Sequence, residues 1–160
     1  MGEWIGRPEP SPQPQQESGP SHIEAIVQEL AKARTAIAML LQQLQNYPDL
    51  KERYTHDLQM ISAFASDFID MSGVRGPWPS TEEIEKEIRE NRIILEREEI
   101  GILGLLRYIR SCLLNVNLNK SYLNVGTTLR NMLEKPQKGK PLQEFIKFLN
   151  DLIKSIENPQ

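Results

Sequence analysis

An all-α protein is expected here, and three observations carry that expectation. Leu and Ile together number 35 in this 160-residue chain, while Val and Thr together reach 9 and aromatic residues 6%. A sheet would draw more heavily on β-branched and aromatic side chains. The apolar residues also recur at steps of three and four, the period of a helix face. Finally, Pro, Gly and capping pairs stand where those stretches begin and end. We read about five helices, an N-terminal coiled-coil-like helix among them, behind a disordered tail.

The tail is residues 1–20. Five of the eleven prolines lie in it (Pro8, Pro10, Pro12, Pro14 and Pro20), spaced by Gln and Ser. Besides Met1, only Trp4 and Ile5 are large and apolar. Such a stretch buries too little to offset its ordering entropy and favours local polyproline II. The first helix is expected from Ser21, which forms a capping box with Glu24. Its apolar positions are Ile23, Ile26, Leu30, Ala33, Ile37, Leu40, Leu44 and Tyr47, an a/d heptad of alternating three- and four-residue steps. Val27 and Leu41 widen the stripe, and Pro48 is expected to end or kink the helix.

A second helix is expected over about 49–71, with Leu50, Tyr54, Leu58, Ile61, Ala65 and Phe68 inward and Gly73 as its stop. Residues 73–80 form a linker holding Trp78. Ser80 and Glu83 make a further capping box. The third helix then reads as one long element from Thr81 to about Asn117. It is charged over 82–99 and apolar nearly all round from Ile100 to Leu114, with a bend or close contact expected near Gly101 and Gly104. A fourth helix is expected over Ser121–Glu134, with Tyr122, Val125, Leu129 and Met132 inward. A fifth runs from Pro141 to about 157 on Leu142, Phe145, Leu149, Leu152 and Ile156. The domain organisation is therefore a tail (1–20), a helical hairpin or coiled coil (21–72), a linker (73–80) and a C-terminal helical bundle (81–157).

Function is less legible. One Cys and two His exclude a disulfide framework and a Cys- or His-rich zinc site. No phosphate loop or His-x-x-x-His pattern occurs, and no cofactor is expected. Cys112, the only thiol, lies in the apolar part of the third helix, where a free Cys is usually a small core residue. A non-enzymatic interaction or adaptor protein is therefore expected. The seam Ile23, Ile26, Leu30, Ala33, Ile37, Leu40 and Leu44 has two readings, a self-association surface or one buried face of an intramolecular bundle. We expect protein partners, with self-association through this seam.

Charge divides the chain. Residues 82–99 sum to −4 and residues 107–154 to +6. In the basic half, Arg130, Lys135, Lys138, Lys140 and Lys147 are candidates for contact with phosphate or an acidic surface, which makes a nucleic-acid-associated protein the alternative. Short motifs add further candidate contacts. Tyr47-Pro48-Asp49-Leu50 resembles the Tyr-Pro-x-Leu late-domain peptides that recruit the ESCRT-associated adaptor ALIX. Pro14-Gln15-Gln16-Glu17 resembles the Pro-x-Gln-Glu peptides bound by TRAF adaptors. Trp78 either tucks into the bundle or is offered to a partner. Residues 1–20 contain no apolar core of signal-peptide length, and no run of 18 apolar residues occurs. A cytoplasmic or nuclear protein without membrane insertion is expected.

Overall fold

The structure is a computed structural model describing residues 19–91, 100–120, 127–134 and 141–158. Among these residues every regular element is a helix. They are α1 (Gly19–Gln43), a 3-10 turn (Leu44–Asn46), α2 (Pro48–Ser72), α3 (Thr81–Glu90), α4 (Ile102–Asn119), α5 (Thr127–Leu133) and α6 (Pro141–Glu157). The all-α expectation holds. None of these helices is long and apolar enough to cross a membrane.

The local signals explain most ends. Tyr47 leaves helical geometry (φ −135°, ψ 78°) ahead of Pro48, which opens α2 where its missing N–H is no loss. Gly73 closes α2 in the left-handed region at φ 76°, and its N–H donates to the Asp70 carbonyl at 3.3 Å. The Ser80 box forms in both directions. Ser80 N donates to Glu83 Oε1 at 2.8 Å, and Glu83 N donates to Ser80 Oγ at 3.2 Å. Pro141 opens α6 as expected.

Four expectations need correction. α1 begins at Gly19, so Ser21 falls in its first turn rather than at the N-cap; Pro20, with its fixed φ, is tolerated there. Tyr47 is not a core position, because the helix stops before it and leaves its side chain 50% exposed. The long third helix is two helices. α3 ends at Asn91 (φ −101°, ψ 88°), and Gly101 is the extended N-cap of α4 rather than a mid-helix residue. The cost of Gly inside a helix is thereby avoided at Gly101, while Gly104 is buried inside α4. Leu114 is exposed, not central, because α4 turns that face away from α1 and α6. The fourth helix is described only as α5; Tyr122 and Val125 lie outside the described residues, as do residues 1–18 of the tail.

Four helices close a ring. α1 packs on α2 and on α4, and α4 packs on α6. α6 returns to α2 through Phe145 against Phe64 (centroids 5.5 Å apart) and Phe148 against Tyr54 (6.0 Å). One buried cluster fills the ring, with Leu30, Ile37, Leu58, Phe68, Leu105, Ile109 and Leu149 among its members. The hairpin and the C-terminal helices share this cluster. α3 lies on the outside of α1 and contributes Ile84 and Ile88. α5 joins α2 to α6 and contributes Leu133.

Candidate interaction groove

The heptad of α1 faces this core. Ile26, Leu30, Ala33, Ile37, Leu40 and Leu44 are buried among the chain's own helices, and Ile23 is half-buried against the same cluster. Ala36 and Val27, on the flanking positions, are fully buried as well. α1 is thus covered on several sides, which a two-stranded seam would not require. The bundle-face reading of the seam accounts for this burial. A second copy would reach these residues only by displacing α2 or α4.

The motif candidates divide. Tyr47 and Pro48 are exposed, whereas Leu50 packs partly against the core and lines a small apolar gap with Leu40, Leu44, Tyr54 and Ile102. Arg130 lies on the exposed surface of α5. Lys147 is exposed on α6 and pairs with Asp151 at 2.9 Å. Lys135, Lys138 and Lys140 lie outside the described residues, as does the Pro14–Glu17 motif.

Trp78 is where exposed surface becomes concave. The segment after Gly73 passes over α1, held there by Thr35 Oγ1, which donates to the Pro79 carbonyl at 3.0 Å. Trp78 lies half-buried against the core, with the Arg34 guanidinium 5.9 Å from its ring centroid. Arg34 is itself braced by a 3.1 Å bond to Ser66 Oγ on α2. Gly76 allows the indole to fold back: a Cβ there would sit 3.1 Å from Trp78 N and 3.4 Å from its Nε1. Between this strap, α1 and α3 runs an open groove of about 440 Å³. Pro77, Trp78 and Pro79 make its end wall, Gln28 and Lys32 its α1 side, and Glu83, Lys86 and Glu90 are on its α3 side.

A polar network shares Lys32 and Glu87 with the groove and fastens α3. Lys32 Nζ lies 3.5 Å from Glu29 Oε2 and 3.2 Å from Glu87 Oε2. Tyr108 of α4 donates its hydroxyl to Glu87 Oε1, and Asn115 Nδ2 donates to Glu29 Oε1 at 3.2 Å. Burial alone would lower the Lys32 pKa, but the Glu29 charge and the Glu87 bond outweigh it and hold the ammonium above its ordinary range. Burial, with the neighbouring Cys112 and Glu87, pushes the Tyr108 phenol far up. Burial and the Glu29 carboxylate likewise raise the Cys112 thiol. That position suits a structural thiol, since the thiolate is the nucleophilic form. His22 Nδ1 faces Asn119 Oδ1 at 3.4 Å, and His56 is exposed on α2. Among the described residues, no group of three or more His, Cys, Asp or Glu is arranged to hold a metal ion.

Sequence reasoning singled out Trp78 but missed this network and the groove. A signal was present. Glu29 and Lys32 sit one turn apart beside the seam, and Tyr108 is a polar-tipped residue inside an apolar run. Compared with family models, curated proteins and solved structures, the chain matches none of them.

Proposed function

We propose that this is a non-enzymatic helical interaction protein whose docking surface is the Trp78 groove. The observation that carries the reading is the half-buried Trp78 between two prolines at the head of an open groove of about 440 Å³. A half-buried Trp supplies the aromatic anchor that protein contact sites favour, and the exposed Glu83, Lys86 and Glu90 around it would form the polar rim. The chemistry also disfavours catalysis: the sole thiol is buried and its pKa is raised. Self-association through the heptad would require the bundle to open, because its core already uses that apolar face.

The test is selection of peptides from a random display library against the full-length chain. Peptides that lose binding to Trp78→Ala, and to Glu90→Arg on the groove's exposed α3 side, support the proposal. Glu90→Arg serves as the variant that leaves the packed indole untouched. Failure to enrich any peptide sensitive to either substitution overturns it.

A further inference from the structure

We infer that the groove takes a short extended peptide segment of a partner protein, with a proline or large apolar side chain on Trp78 and an Arg or Lys side chain at Glu90. The inference rests on the groove being a docking surface, as proposed above, and it names the chemistry of the occupant. The first argument is that the two ends of the groove differ. Pro77, Trp78 and Pro79 make an apolar end wall, and the Arg34 guanidinium, braced by Ser66, lies 5.9 Å from the indole centroid. That held cation repels a second one and leaves the ring to apolar groups. The strap leads directly into α3, and Glu90 is the last residue of that helix. Its carboxylate therefore lines the opposite end.

The second argument is which charges are already engaged. Lys32 is held by Glu29 and Glu87, and Glu87 also accepts from Tyr108. Glu83 accepts from Ser80 N in the capping box. Glu90 is exposed and, among the described residues, has no ion-pair partner. Counting Glu29, which holds Lys32, the site carries four carboxylates (Glu29, Glu83, Glu87 and Glu90) against two ammoniums (Lys32 and Lys86). This balance favours a cationic occupant and opposes a phosphate-bearing one.

The third argument is length and backbone. From Glu83 to Glu90, both lining the groove, α3 rises about 10 Å. A polyproline II segment covers roughly that distance in about three steps of ~3.1 Å. With three residues per turn, it also brings the side chain three positions on back to the same side. One such segment of about four residues therefore presents its first and last side chains to Trp78 and Glu90 together. Its backbone carbonyls are unpaired and need donors. Gln28, half-buried on the α1 side and without a partner among the described residues, carries a side-chain amide that can donate to them.

The probes are heptapeptides selected from a random display library by the full-length chain. Those that lose binding to Trp78→Ala are expected to carry Arg or Lys three positions from Pro or a large apolar residue, in either chain direction. Glu90→Arg should weaken them about fivefold. Replacing the peptide's cation by Glu should recover that loss on the Glu90→Arg chain and weaken binding to the unsubstituted one. A merely structural effect of Glu90→Arg would show no such recovery, and a cation at the end of α3 suits the helix dipole. Trp78-dependent peptides without this spacing, or a Glu90→Arg loss that the charge swap does not recover, overturn the inference and leave the docking surface standing. Trp78-dependent self-association in sedimentation would assign the groove to a second copy and overturn it too. If no peptide depends on Trp78, the docking surface itself fails.

Discussion

Two glycines show how one missing methyl group does opposite things. Gly73 holds φ 76° with nothing within 4 Å of a built Cβ, so space is not the obstacle and backbone conformation is. Gly73→Ala is expected to cost about 1 kcal/mol, read as a lower urea midpoint with unchanged slope. Gly101 also has open space, but its backbone is extended and α4 starts there with no side-chain cap. Gly101→Ser therefore adds a cap acceptor and stiffens the unfolded chain, a gain of about 0.5–1 kcal/mol in the same measurement. The buried titratable residues make a third prediction. Cys112, Tyr108 and Lys32 all keep their protons in the fold at pH values where the unfolded chain releases them. The unfolded state then binds fewer protons, so stability falls as pH rises. The loss begins above the ordinary thiol value of 9.0 and steepens past the ordinary phenol value of 10.0. Unfolding midpoints between pH 7 and 11 should show this limb, and Cys112→Ala with Tyr108→Phe should flatten it. An equally steep limb in the double variant would refute the assignment.

At the scale of elements, α3 is the vulnerable piece. Its ten residues are fewer than an isolated helix needs in water. It persists through its capping box, through Ile84 and Ile88 against the core, and through Glu87, which Lys32 and Tyr108 hold from α1 and α4. Ser80→Ala removes one half of the box and is expected to cost about 1 kcal/mol. Because α3 forms one side of the groove, the same change should raise amide exchange along Glu82–Glu90 more than in α1 or α4. Uniform exchange across all helices would mean that α3 does not open on its own. The capping pair was plain in the sequence. The break of the expected long helix at Asn91 and Gly101 was not, because a charged stretch and an apolar stretch in series read equally well as one continuous helix.

At the scale of the molecule, α1 is the hub, touching α2, α3 and α4. Ile37→Ala should therefore cost about 2–5 kcal/mol, as a cavity in a packed interior does, and leave the sedimentation coefficient of the folded chain unaltered. A change in assembly with little change in stability would instead assign the heptad to self-association. Much of the molecule was legible in residue order. The helical class, the Pro48 junction, the Gly73 stop, the Ser80 box and the Pro141 start all follow from short-range rules of backbone conformation and capping, which act within a few residues. The inward residues of α1 and most of those of α2 and α6 follow from periodicity, because burial of one face is a local pattern. What covers that face is not local. A heptad says that an apolar stripe must leave water, and any stripe of matching shape satisfies it, from this chain or another. Long-range packing chose α2 and α4 for the seam, left Tyr47, Leu114 and Leu118 outside, and brought Glu29, Lys32, Glu87 and Tyr108 together across α1, α3 and α4. Their positions span residues 29 to 108, a separation over which no sequence spacing carries geometry.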